Sequence, residues 1–408
     1  MGVCLPIIMV ISAFAALMAF GGAPRASIAE GRGDLKESER IMGNSFTMLV
    51  AVSVVLTVVF LVFAEPMLRI FGASDNTIGY ALNYMRIYAL GTIFVQVTLG
   101  MNAYITAQGF TVVGMKTVLI GAILNTVLDP IFIFVFRMGV AGAAWATVIG
   151  QLLSFLMALN YARCFRHIHL QPHHFGYRLR EWGQIASLGM SNSLNQVAIT
   201  FVQIVLNNSL TFYGAQSEYG SSIPLAACGI VIKTNAILLS IIIGISQGSQ
   251  PIVGFNYGAK QYARVRGIYK LAISCNLVVS AIGFVLFQVF PRQIISIFGT
   301  GDVLYFEFAV RFMRIFLFMV LVNGVQLISS NFFAAIGKPI KGVILSLTRQ
   351  VFFLVPLLLI LPLFMGIDGI LFAGPIADGV AFVTTTILIR REMNHIRQLE
   401  QQATQGNS

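Results

Sequence analysis

The sequence predicts an all-α, polytopic membrane protein made of two parallel-repeat six-helix bundles, and three observations carry that prediction. Only 10% of the 408 residues are charged and 57% are hydrophobic, whereas soluble domains carry roughly 25% charged residues. The mean hydropathy is +0.84. Apolar runs of about 20 residues, long enough to cross the hydrocarbon of a bilayer, recur along the chain with no long polar domain between them. Finally, the chain repeats itself: Ile70-Phe71-Gly72-Ala73-Ser74-Asp75 returns as Ile297-Phe298-Gly299-Thr300-Gly301-Asp302 at an offset of 227. Met85-Arg86-Ile87 returns as Met313-Arg314-Ile315 at 228, and Met138-Gly139-Val140-Ala141-Gly142 as Met365-Gly366-Ile367-Asp368-Gly369 at 227. So constant an offset marks a duplication.

In chain order the apolar runs predict helices over 3–23, 44–64, 87–107, 115–136, 140–161, 184–207, 223–250, 269–290, 312–332, 342–363 and 368–389. The first run has no basic stretch before it and no cleavage site after it, so it reads as a membrane helix and not a signal peptide. Segments 25–43, 109–116, 162–183, 252–270, 333–341 and 390–408 hold 18 of the 26 basic residues, and the opposite side holds six: Arg69, Arg86, Arg137, Arg292, Arg311 and Arg314. This asymmetry places the first set, and the C-terminus, in the cytoplasm, with Met1 outside. An even number of helices separates the two copies, so the repeat is parallel. Its offset leaves helix 184–207 without a first-half counterpart. The expected organisation is a five-helix N-terminal bundle (1–161) with its first helix absent, a cytoplasmic loop (162–183), a six-helix C-terminal bundle (184–391) and a cytoplasmic tail (392–408). A misassigned start, a truncation or a genuine shortened variant would each explain eleven spans in place of twelve.

The candidate site lies in the fourth run. Asp129 stands in an otherwise apolar stretch, where an ionised group is expensive unless water, a cation or hydrogen-bond partners receive it. Asn125 precedes it by four residues and shares its helical face. With a turn at Met138-Gly139, Asp129 and Thr147 are each nine residues from the turn, about 13 Å down neighbouring helices. Three oxygen-bearing side chains can therefore meet at one depth. The offset of 227 maps Asn125, Asp129 and Thr147 onto Phe352, Pro356 and Gly374, so the constellation belongs to one half, as a coupling-ion site would. In the second half, Lys233 and Asp378 stand at similar depths, and a neutralising ion pair or a substrate contact is expected of them.

Several classes are excluded. Gly244-Ile245-Ser246-Gln247-Gly248 fits a nucleophile pattern, but it lies inside an apolar run with no histidine in any helix core, so no enzyme is expected. His167, His169, His173 and His174 read as a solvated loop, and the well-separated Cys4, Cys164, Cys228 and Cys275 have neither disulfide nor zinc spacing. There is no phosphate-binding Gly-x4-Gly-Lys-Ser/Thr loop. The net charge of +11 is spread over short loops, where orientation in the membrane accounts for it, so no nucleic-acid partner is expected.

Gly21-Gly22-Ala23-Pro24-Arg25-Ala26-Ser27-Ile28-Ala29-Glu30-Gly31-Arg32-Gly33-Asp34 and Gly248-Ser249-Gln250-Pro251-Ile252-Val253-Gly254-Phe255-Asn256-Tyr257-Gly258-Ala259-Lys260 resemble the loops after the second and eighth helices of multidrug and toxic compound extrusion (MATE) transporters. The resemblance runs from Met1 to about Arg391. It implies two bundles flanking a central cavity, and export of drugs driven by H⁺ or Na⁺ entry, without other cofactors. It also implies that Asn125, Asp129 and Thr147 match positions of a cation site, with Na⁺ at Asp129 as the one metal to expect. The family adds an Asp from the first helix, which has no counterpart here. Expected partners are small amphipathic, cationic substrates and the lipid bilayer of the cell membrane, with the chain acting as a monomer. The alternative is a lipid-linked glycan flippase of similar architecture, whose cavity should hold several cations at membrane depth; only Lys233 and Arg349 qualify.

Overall fold

The computed structural model describes residues 4–70, 75–163, 176, 178–298 and 301–405. Residues 71–74 and 299–300 of the recurring motif, together with Cys164, Arg166 and the four loop histidines, lie outside the described residues. All regular structure among the described residues is helical. The chain divides into two compact units, Met1–Ser193 and Leu194–Ser408.

The first unit comprises α1 (Leu5–Gly31), α2 (Leu35–Val62), α3 (Ala64–Ile70), α4 (Asp75–Leu90), α5 (Thr92–Ala107), α6 (Thr111–Pro130), α7 (Gly139–Arg163) and the first residues of α8 (Leu179–Ala215). The second takes the rest of α8 with α9 (Ser222–Gly258), α10 (Tyr262–Val289), α11 (Pro291–Phe298), α12 (Val303–Phe316), α13 (Val320–Ala335), α14 (Pro339–Leu347), α15 (Val355–Met365) and α16 (Ile367–Gln405). The duplication is visible element by element: α2 and α10 begin and end 227 residues apart, and α5 and α13 do so at 228. Both halves bend at the same place. Thr77–Leu90 meets Thr92–Ala107 at 50°, and Val303–Phe316 meets Val320–Ala335 at 50°. Nine helices are long and apolar enough to cross a membrane, and each bent pair as one span makes eleven among the described residues.

Three sets of helix boundaries differ from those the hydropathy predicts. The charged stretches 25–43 and 252–270 are mostly helical. α1 runs on to Gly31 and α2 starts at Leu35, with the Asp34 carboxylate accepting from the Glu37 backbone N–H at 2.9 Å as an N-cap. The charges that make this stretch look like a loop are paired: Glu181 lies 2.8 Å from Arg25 and 3.3 Å from Arg40. The chain reverses through Gly33 at φ +83° in the first half and Lys260, 227 residues later, at φ +58° in the second. Likewise α4 starts twelve residues before the predicted span 87–107, because Asn76, Thr77, Asn83 and Arg86 dilute its hydropathy. The stretch 390–405 continues α16 as helix.

Each unit has its own apolar core. Met18, Met42, Leu49 and Met101 pack in one cluster of the first unit and Ile7, Ile11, Phe60 and Met85 in another; Phe308, Phe312, Phe333 and Leu358 anchor the second unit. Outside these cores, Val54, Val55, Val58 and Val62 of α2 are more than half exposed, as suits a helix whose surrounding solvent is lipid.

Candidate functional site

The site is set by how closely α6 and α7 approach. Both helices present glycine at the crossing: a Cβ on Gly121 would lie 2.1 Å from Ser154 Oγ, and one on Gly150 would lie 2.7 Å from the Gly121 carbonyl. Small residues that bring backbones into contact are a usual device for membrane helices. Ser154 closes the contact by donating to the Thr117 carbonyl at 2.7 Å. One turn further along, Asn125 of α6 faces Thr147 of α7. Its amide nitrogen lies 3.2 Å from Thr147 Oγ1 and 3.3 Å from Asp129 Oδ1, while the Thr147 hydroxyl donates to the Ala143 carbonyl at 2.9 Å. The three residues predicted to meet at one depth do meet, and all are half-buried.

Beyond Asp129 the helix changes pitch. Pro130 has no N–H to donate, and residues Ile131–Val135 form a π-helical turn in which the Phe136 N–H reaches the Ile131 carbonyl at 3.0 Å. The carboxylate therefore sits at the last regular α-helical turn, where the backbone ladder is already interrupted.

The structure adds residues that sequence reasoning missed. On α4, Tyr84 and Tyr88 are buried and stacked with centroids 5.9 Å apart and planes 16° apart. The Tyr84 hydroxyl interacts with Thr147 and lies in the field of Asp129, and Tyr88 interacts with Gln151. The i, i+4 spacing of the two tyrosines is a readable signal, but the predicted span began at residue 87 and cut it in two. Beside the trio is a cavity of about 250 Å³ lined by Thr98, Leu99, Val118, Gln151 and Ser154 as well as Asn125 and Thr147. Thr98 Oγ1 and Gln151 Oε1 are buried there without a protein hydrogen-bond partner. Together these groups can offer a ligand a carboxylate, two hydroxyls and amide oxygens, the hard donors that suit H⁺ or Na⁺. Exchanging N and O of Asn125 would present its amide oxygen at the same spot, so the residue can serve either ion.

The predicted Lys233–Asp378 pair is corrected. Asp378 of α16 is buried and its carboxylate accepts from the Arg349 guanidinium, whereas Lys233 is exposed on α9 and has no acidic partner among the described residues. Depth along a helix, on which the expectation rested, does not specify which side of the helix a residue occupies. Arg349 belongs to a second π-helical stretch, Thr348–Leu354, ahead of Pro356. The Gly-x-Ser-x-Gly pattern lies within α9, and Ser246 there accepts from Asn331 Nδ2 at 2.7 Å. That bond is a helix-to-helix contact.

Comparison with known proteins accords with this geometry. The MatE family model matches residues 1–131 and 192–360. The multidrug export protein MepA of Staphylococcus haemolyticus is 25% identical over 386 residues, covering 94% of this chain and 83% of that protein. MepA of Staphylococcus aureus is 23% identical over 386 residues with the same coverage. A solved structure of MATE in the bent conformation superposes with a TM-score of 0.91 at 20% identity, over 98% of this chain and 88% of that one. A MOP superfamily transporter from Pyrococcus furiosus, described as having a binding pocket of reverse polarity, superposes with a TM-score of 0.89 at 20% identity, over 97% and 88%. At that identity the structures establish the fold, and the family model, matching most of the chain, establishes the family. The chain belongs to the MatE family and is a multi-pass membrane transporter, not an enzyme.

Proposed function

We propose that this transporter is a secondary antiporter that exports drugs or other organic cations from the cell by alternating access, in exchange for H⁺ or Na⁺ taken up at Asp129. The observation that carries the reading is the Asn125 amide lying within 3.3 Å of both the Asp129 carboxylate and the Thr147 hydroxyl. A carboxylate at membrane depth with hydrogen-bonding neighbours but no cation opposite it among the described residues is poised to take one up. Asn125 and Thr147 orient the ion or proton, and the Tyr84 hydroxyl reaches the same group through Thr147. Uptake neutralises Asp129, which weakens its hold on a cationic substrate, so ion entry and substrate exit are linked through one charge. The names of the MepA relatives, multidrug export proteins, support a broad cargo, and flexible Phe and Met contacts tolerate varied shapes. The charge asymmetry of the loops supports a cytoplasmic C-terminus in the cell membrane. Two self-contained units support a functional monomer.

The flippase alternative has less support. It needs free cations at membrane depth, and Arg349 is neutralised by Asp378, which leaves Lys233 alone among the described residues.

The test is gradient-driven efflux from vesicles with Asp129→Asn. The variant is expected to insert at normal levels and to lose efflux under both a pH gradient and a Na⁺ gradient. Wild-type rates under either gradient would remove Asp129 from the coupling step.

A further inference from the structure

We propose that the second unit carries a binding site for the phosphodiester headgroup of a membrane phospholipid, in the cavity between the end of α10, α11 and α12. The cavity has a volume of about 610 Å³, and its lining includes Arg292, Arg311 and Arg314 with a single acidic residue, Glu307. Each arginine is held in a different way. Arg314 donates from Nε to the Gln288 carbonyl at 3.1 Å, and Gln288 returns a bond to the Arg314 carbonyl at 2.8 Å. Arg311 is fixed by Asp368 at 2.8 Å. Arg292 rests over the Phe306 ring at 5.5 Å with no acidic partner among the described residues. Two guanidinium groups thus keep their forked donors unmatched by a carboxylate, an arrangement suited to the oxygens of a phosphodiester.

Position and surroundings point to a lipid as the source of that phosphate. Arg292 lies three residues past Val289, the last residue of the membrane-spanning α10, and so near the span's end, at headgroup level. Val289 and Val303 line the same cavity and are 57% and 81% exposed, and Ile297 of the neighbouring α11 is 79% exposed. Guanidinium groups beside bare aliphatic surface match a molecule with a phosphate at one end and acyl chains at the other. Glu307 tempers the site's positive charge.

The cluster is not a by-product of the repeat. At the offsets that align the flanking motifs, Arg292 and Arg311 correspond to Glu65 and Asn83, and only Arg314 keeps its charge, as Arg86. Glu65 pairs with Arg69 at 3.1 Å. The first unit therefore lacks the three-arginine set at the corresponding positions.

The test is titration of the full-length, delipidated protein in detergent with a fluorescent phosphatidylglycerol. Arg292→Gln with Arg314→Gln is expected to weaken binding about tenfold or more, and Glu307→Gln to tighten it. Arg264→Gln with Lys270→Gln, both exposed at the far end of α10, is expected to leave it unchanged. Inorganic phosphate in millimolar excess and diacylglycerol should both fail to compete. Equal weakening by the two double variants would reduce the binding to diffuse electrostatics and overturn the site. Competition by inorganic phosphate would make it a plain anion site, and competition by diacylglycerol a plain apolar groove; either overturns the proposal. Because Arg292 and Arg314 are exposed, thermal unfolding within a few degrees of wild type is expected, and a unique headgroup loss in a folded variant is the confirming result.

Discussion

Where Tyr84, Tyr88, Asn125, Thr147 and Gln151 face one another in the first unit, the repeat places Phe312, Phe316, Phe352, Gly374 and Asp378 in the second. The aromatic stack persists: Phe312 and Phe316 lie 5.0 Å apart with planes at 29°, against 5.9 Å and 16° for Tyr84 and Tyr88. What is lost is polarity. The hydroxyls become ring hydrogens, Thr147 becomes a glycine packed on the Phe316 ring, and Asp129 becomes Pro356. The second unit has its own carboxylate one turn away, Asp378, but supplies Arg349 to neutralise it. The same frame thus holds an acid without a cationic partner among the described residues in one copy and an acid already matched in the other. The first arrangement leaves a charge to be satisfied from outside, while the second completes itself within the fold.

The largest effect is expected where the matched pair is split. Asp378→Leu leaves the Arg349 guanidinium buried without a partner, and losing one member of such a pair costs about 3–5 kcal/mol. Thermal unfolding in detergent should show a large drop for this variant and substantial recovery when Arg349→Met is added, since apolar replacement of both members is close to neutral. An equal drop in single and double variants would mean that the pair does not hold α16 in place. Asp129→Asn, with no cation to strand, should leave the unfolding temperature near wild type while removing transport. The two carboxylates are separated by this contrast: one matters to the fold, the other to the cycle.

A smaller effect is expected at the crossing of α6 and α7. Thr348 and Ala377 occupy in the second unit the places of Gly121 and Gly150, so only the first unit brings bare backbones together here. Gly121→Ala puts a methyl group 2.1 Å from Ser154 Oγ and 2.9 Å from the Gly150 carbonyl, forcing the helices apart at about 1–3 kcal/mol. Asn125 would then lose its reach to Thr147, and efflux should fall more than stability does. Normal coupling in a destabilised Gly121→Ala protein would show that the Asn125–Thr147 contact is dispensable.

Much of this was legible before any coordinates. Eleven spans follow from apolar runs, and the trio follows from two countable facts, an i, i+4 pair on one helix and equal distance from a turn for its neighbour. The parts that were not legible need a third helix or a change of pitch. Tyr84 belongs to a helix whose sequence separation from Asp129 says nothing of its approach, whereas Gln151 stands one turn beyond Thr147 on α7 and was within reach of the same count from the turn. Arg349, which meets Asp378, stands at the start of a seven-residue π-helical stretch, and hydropathy carries no trace of that change of pitch. The segment around Arg25 and Arg40 looked like a loop because its charges were counted singly, whereas Glu181, more than 140 residues away in sequence, receives both.

The smallest change tests whether the first unit's polarity, and not its shape, makes it a site. Tyr84→Phe installs the residue that the second unit already has, at Phe312, and keeps the stack with Tyr88. The ring packs as before, so stability should move by about 1 kcal/mol or less, the net worth of one hydroxyl contact. The hydroxyl's interaction with Thr147 is lost, and Thr147 then orients toward Asn125 with one partner fewer. If ion uptake at Asp129 draws on this chain of groups, the ion concentration for half-maximal efflux should rise several-fold while the maximal rate holds. A fall in maximal rate at unchanged ion dependence would instead assign Tyr84 to substrate passage, and would move the boundary of the ion site back to α6 and α7 alone.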